Sequence, residues 1–214
     1  MRERRSSGSS TSSLDDTTTD TKAEQDLLRR LCAEIGESSD DPALLSHVAY
    51  AQAILNARLY ERPRHDYEAA DRWVDKSLAF SERIPASPTR AVNIAFLMNT
   101  RALVELRKGR PEAAELLLTD AIAFMREGAP GRYRAESLIL WHNLSRLHVV
   151  TGELDLAIED LDKLLTQEPT YGEAWFDRGM ISQRAGRSEA ALASYGSAIR
   201  WGPPQPEAHF NRGQ

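Results

Sequence analysis

The chain has 214 residues, a formal net charge of −5 and a single cysteine, Cys32. That length suffices for one continuous core, the acidic balance argues against nucleic acid as the main partner, and one cysteine allows no internal disulfide. No apolar run reaches the roughly 18 residues of a membrane span, and the basic start leads into Ser and Thr, not into the apolar stretch of a secretory signal, so a cytoplasmic protein without membrane contact is expected.

Residues 1–22 are of low complexity: RERR, then SSGSSTSS, then DDTTTD. Such a segment has too little apolar surface to offset the entropy cost of ordering, and a solvated tail is expected. From Lys22 to Ile35, Leu27, Leu28, Leu31 and Ile35 form a helical stripe, stopped by Gly36 and expected to cover the first repeat. Cys32 lies beside that stripe and reads as a packing residue. Asp40 and Asp41 before Pro42 mark a helix start. A long helix then spans Ala43–Leu59, ERPRHD forms a turn, and Tyr67–Phe80 form a second helix. IPASPTR is a break with two prolines. A helix over Val92–Leu106 ends at Gly109, Pro111 opens its partner to about Glu127, and GAPG breaks the chain again.

The last third repeats itself. Moving back 34 residues from Trp175, Gly179, Gly186, Ala191, Tyr195 and Pro203 gives Trp141, Ser145, Gly152, Ala157, Leu161 and Pro169. A period of this length marks a solenoid. Gly186 and Gly152 can take the positive φ that ends a first helix. Gly179 and Ala191 are expected to face each other within a helix pair, and Trp175 and Tyr195 to fill the space between pairs. Earlier units keep the pattern more loosely. One has Ala102, Gly109, Ala114, Leu118 and Ala121; the other has Tyr67, Ala70 and Val74, with His65 where Gly recurs and Ser77 where Ala recurs. The spacings from Ile54 to Met98 and from Met98 to Trp141 are 44 and 43 residues, against 34 later. Longer helices in the early units would make that difference.

This set of small, large and turn positions resembles the tetratricopeptide repeat (TPR) family. The resemblance implies an all-α, right-handed superhelical solenoid over residues 23–214: about four repeats plus the start of a fifth at His209 and Gly213. It further implies that the first helix of each pair lines a concave groove for a peptide or partner protein. Position by position, the groove would take Leu55, Asn56, Leu59 and Arg62, then Asn99, Thr100, Leu103 and Leu106. The third unit would add His142, Asn143, Arg146 and Val149, and the fourth Phe176, Asp177, Met180 and Gln183. The strongest candidates are Asn56, Asn99, Leu103, His142, Asn143, Arg146, Phe176, Asp177 and Met180. Asn amides can pair with a peptide backbone in both directions, and Leu and Met offer adaptable apolar surface. The two-carboxylate clamp of co-chaperone TPR domains is not expected: Asn143 fits its middle role, but Asn99, Leu103, Glu173 and Asp177 stand where Lys, Asn, Lys and Arg belong.

No catalytic, cofactor or metal constellation stands out. His142 and His148, six apart, fall on different sides of a helix and cannot share a metal. Glu159, Asp160 and Asp162 read as a solvated helix face. No Gly-rich phosphate loop or nucleophile elbow occurs. A non-catalytic scaffold or adaptor is the favoured function. The alternatives are a peptide-sensing regulatory module and an accessory TPR domain of a larger enzyme. At the far end, the last complete pair is expected to expose Tyr195 and Ile199, with Phe210 and a short stub to cover them. An apolar face of that kind would continue in a longer repeat protein or support end-to-end self-association.

Overall fold

In the computed structural model, residues 26–27, 29–57, 66–131 and 134–202 are described. The tail, His65, Leu59, Arg62 and the start of a fifth repeat lie outside them. Helix α1 covers residues 29–38. It is followed by α2 (Pro42–Ala57), α3 (Tyr67–Glu82), α4 (Pro88–Arg107), α5 (Pro111–Gly128), α6 (Arg134–Thr151), α7 (Leu154–Gln167), α8 (Gly172–Arg184) and α9 (Ser188–Trp201). No strand occurs among the described residues.

Helices α2/α3, α4/α5, α6/α7 and α8/α9 pair as hairpins, and each hairpin packs on the next in chain order. The turns show why. Gly109, Gly152 and Gly186 have φ of 78°, 89° and 75°, a left-handed conformation that costs glycine nothing. Each turn closes with the same hydrogen bond to a carbonyl five residues back: Arg110 to Glu105 (3.0 Å), Glu153 to His148 (2.8 Å) and Arg187 to Ser182 (2.8 Å). This is the Schellman end of a helix, built three times. The break before α4 works from the other side: Ser87 caps the helix by accepting from Arg90 N, and Pro88 opens the first turn.

The core clusters are shared between neighbouring hairpins. Ala53 of α2 and Val74 of α3 meet Leu97 of α4. Ala102, Ala114 and Leu118 of the second hairpin meet Leu144 and Leu147 of α6. Leu138 of α6 and Ala157, Leu161 and Leu164 of α7 meet Ala174 and Ile181 of α8. Every one of these clusters therefore takes one hairpin and the first helix of the following one. The early helices are longer, as the spacing suggested: α4 has 20 residues and α5 and α6 have 18, against 14, 13 and 14 for α7, α8 and α9. At about 1.5 Å per residue, α4 stands roughly 10 Å taller than α8.

Ser77, the residue that breaks the Ala pattern, has a partner of its own kind. Its hydroxyl donates to Ser46 O (2.7 Å), and Ser46 Oγ lies 3.1 Å from Ser77 Oγ and 2.8 Å from Ser81 Oγ. All three serines are buried, so hydroxyls close the α2–α3 seam where the second and fourth hairpins have Ala121 and Ala198. Ion pairs reinforce the next seam. Asp71 of α3 holds Arg101 of α4 and Lys108 just after it, and Arg101 also meets Asp75. The Asp71 hydrogen bond raises the Lys108 pKa, with the nearby Glu105 carboxylate assisting.

Four expectations need correction. Gly36 does not stop α1, which continues to residue 38. The α1 stripe also stays largely in solvent, with Leu31 43% and Ile35 38% exposed. A hydrogen bond from Gln52 to Arg29 O ties α1 to the repeats, too little to seat an apolar face. Third, Tyr195 is buried, at 1% exposure. It lies inside its own hairpin: a Cβ on Gly179 would fall 2.6 Å from the Tyr195 ring, so Gly179 makes room for Tyr195 within the pair. Fourth, Asp160 is buried, whereas Glu159 and Asp162 stay exposed, Asp162 while pairing with Arg178 of α8.

Gly179→Ala should lower stability by about 1–3 kcal/mol, because a buried ring must move to admit the methyl group. Gly196→Ala, where a Cβ meets nothing within 4 Å, should raise it by roughly 0.5–1 kcal/mol. Urea midpoints of the two variants test the pair. Folding raises the Lys108 pKa, so with Asp71 ionised its ion pair stabilises fully from neutral pH up to the ordinary value of 10.5, and that contribution is lost as pH rises through the folded-state value. The urea-midpoint difference between the wild type and Lys108→Met should hold from neutral pH upward and shrink above 10.5.

Candidate inner-wall binding site

The first helices of the hairpins form one layer, in which α2 touches α4 and α4 touches α6. Side chains on that layer divide into those that hold the wall together and those that face away from it. Asn143 Nδ2 of α6 donates to Asn99 Oδ1 of α4 at 2.8 Å. Asn99 is 8% exposed and Asn143 half-buried, so this amide pair is a contact that joins neighbouring repeats. One position earlier, His142 Nε2 donates to Asp177 Oδ2 of α8 at 2.6 Å. Its ring meets the edge of Tyr171, with centroids 6.2 Å apart. Two adjacent residues of α6 thus reach to opposite neighbours.

The remaining candidates fall on both sides of that division. Asn56, half-buried, turns back to Gln52 O. Thr100 is buried and bonded to Phe96 O. Leu103 packs beside Ala57 and Ala70, Leu106 against the second core cluster, and Val149 against the third hairpin. Phe176 tilts onto Tyr195, with ring centroids 5.9 Å apart, and Gln183 accepts from the Tyr195 hydroxyl at 2.8 Å. Leu55 is half-buried. Arg146 is exposed with no ion pair among the described residues, and Met180 is 42% exposed.

The wall carries negative charge near α8. Tyr171 OH donates to Glu173 Oε2 at 3.3 Å. Burial, then the Glu173 and Asp177 carboxylates, push the Tyr171 phenol above its ordinary value of 10.0.

Sequence reasoning missed a cavity of about 290 Å³ in the first half of the wall. His47 and Tyr50 of α2, Asn93 and Phe96 of α4 and Glu136 of α6 ring it, with Val92, Leu97, Ser46 and Ser77 beneath. Its position follows from helix length. Helix α8 starts at Gly172, just before Trp175, whereas α4 starts at Pro88, nearly three turns before the matching Met98. Residues such as Asn93 and Glu136 therefore have no counterpart in the last hairpin. The enlarged early spacing was the signal, but spacing does not say which side chains the extra turns bring together.

No family model matches the chain, and no curated protein matches it in sequence. Solved structures do. BtubC (BKLC) from P. vanneervenii aligns over 89% of this chain and 79% of its own, with a TM-score of 0.65 and 18% identity. YrrB, a TPR protein with an unusual peptide-binding site, aligns over 92% and 88%, with a TM-score of 0.56 and 15% identity. PlcR of Bacillus thuringiensis, solved in complex with the peptide PapR7 and DNA, aligns over 90% and 71%, with a TM-score of 0.61 and 12% identity. The fold is therefore a TPR-type solenoid. No described helix is long and apolar enough to cross a membrane.

Asn143→Ala should cost about 1–2 kcal/mol, since it strands the buried Asn99 oxygen. Arg146→Ala should fall within about 0.5 kcal/mol of the wild type. Denaturant unfolding of both variants separates wall-building residues from solvent-facing ones.

Proposed function

We propose that this protein is a non-catalytic scaffold that binds an extended peptide segment of a partner protein along its inner wall. The observation that carries this reading is the cavity between α2, α4 and α6. It has an apolar floor and a polar rim, and it lies on the same layer as the exposed Arg146 and Met180. A few anchored side chains with a polar rim is how a peptide is held in a groove. The floor of Val92 and Leu97, with Phe96 in the wall, suits an apolar anchor of the ligand. Asn93, His47 and Glu136 can bond to its backbone, and Arg146 offers a guanidinium to a downstream carboxylate. The likeness to YrrB and PlcR in fold agrees with peptide recognition. A net charge of −5 favours protein over nucleic acid as the ligand.

A regulatory variant of the same function has one specific support, the fold likeness to PlcR, a protein solved with both a peptide and DNA. In that variant the bound peptide would control an effector outside this chain.

A peptide library displayed on phage and selected against the immobilised protein tests the proposal. Selected peptides should share an apolar anchor residue. Fluorescence anisotropy should show binding weakened at least about tenfold by Asn93→Trp, which fills the cavity, and several-fold by Arg146→Glu. Selected peptides that bind both variants as tightly as the wild type would refute the inner-wall assignment.

A further inference from the structure

Away from the inner wall, three side chains from three segments converge on one point. Glu115 stands in α5 soon after Pro111, His148 near the end of α6, and Glu153 directly after the Gly152 turn. One ligand-capable atom from each lies within 4.8 Å of the other two. His148 is 4% exposed, and its Nε2 is buried with no hydrogen-bond partner. Glu115 Oε1 is the near oxygen, at 3.5 Å, beyond a good hydrogen bond. His148 lines a cavity of about 220 Å³ between α5, α6 and α7, whose walls include Ile122, Trp141 and Leu144.

The other ring nitrogen explains what Nε2 is prepared for. His148 Nδ1 lies 2.7 Å from Asp160 Oδ2, and Asp160 is itself buried. A carboxylate cannot donate, so Nδ1 carries a proton, and in the neutral imidazole the lone pair is then on Nε2. Lys163 holds the second Asp160 oxygen at 3.2 Å and lies over the Trp141 ring at 4.8 Å. A carboxylate behind a histidine, with the far nitrogen bare, is the arrangement that orients imidazole for a metal and makes it more basic. Glu153 is oriented too: Thr151 Oγ1 donates to its Oε2 at 2.9 Å.

We infer that His148 Nε2, Glu115 and Glu153 form a binding site for a divalent transition-metal ion, with Asp160 and Thr151 as its orienting groups. One imidazole and two carboxylates are ligands that Zn²⁺ accepts at about 2.0–2.2 Å. Tetrahedral ligands at that distance stand about 3.3 Å apart, so the His148–Glu115 spacing needs almost no adjustment. Three protein ligands leave a fourth position for solvent or a partner's donor. A bound ion would fasten α5 of the second hairpin to the α6–α7 turn of the third.

Isothermal titration of the full chain with ZnCl₂ in a non-chelating buffer tests this. The expected result is one ion per chain, with affinity reduced at least about tenfold by Glu115→Gln and by Glu153→Gln and unchanged by Glu112→Gln. Both ligand carboxylates are partly or fully exposed, so these variants leave the core intact. On zinc addition, the His148 Nε2 resonance should shift in a long-range nitrogen–proton spectrum while that of His142 stays in place. Absence of stoichiometric binding would overturn the inference. So would equal affinity in the Glu115→Gln/Glu153→Gln double variant, or a His148 ring unaffected by zinc.

Discussion

The core clusters are each completed by the following hairpin, and the rest of the fold answers to that constraint. Each of three clusters of buried side chains borrows from the first helix of the following hairpin: Leu97 completes the first, Leu144 and Leu147 the second, Ala174 and Ile181 the third. Stability is then a chain of nearest-neighbour contacts in which no central core exists to be lost at once. The glycine turns at Gly109, Gly152 and Gly186 set the sense in which the last three hairpins close, and so the direction in which the next can be reached. Close approach is enforced at places such as Gly172 and Gly202, where an added Cβ on Gly172 would fall 2.3 Å from the Gly202 Cα.

Polar contacts then specify how the layers meet. The buried serines close one seam, Asn99 and Asn143 a second, His142 and Asp177 a third. Buried polar groups are costly unless paired, so each contact fixes a register that apolar packing alone would allow to slide. His148 and Asp160 follow the same logic on one side of the ring but not on the other. The bare Nε2 departs from the rule that these seams obey, and its convergence with Glu115 and Glu153 is what singles out the spot.

Helix length connects architecture with binding. The early first helices carry extra turns at their N-terminal ends, and the inner-wall cavity is made in part from residues of those turns. A regular array would present the same wall at each step. This one has a tall half with a cavity and a short half with the acidic cluster around Tyr171 and Asp177. A ligand lying along it would therefore have a defined direction.

Reading along the chain was enough to establish the order of the described hairpins, the left-handed glycines at three of their turns and the unequal helix lengths. These are local properties, set by periodicity and by what a backbone conformation demands of one residue. The face to which each polar side chain turns was fixed only when the helices packed. Asp160 reads as one of several acids on a solvated helix, yet His148, 12 residues away, draws it inside. Tyr195 fills its own hairpin because Gly179 leaves room for the ring, and the inner-wall candidates divide between seams and solvent according to helix register. The grouping of Glu115 with His148 and Glu153 likewise depends on how one hairpin settles against the next, which no spacing along a single chain encodes.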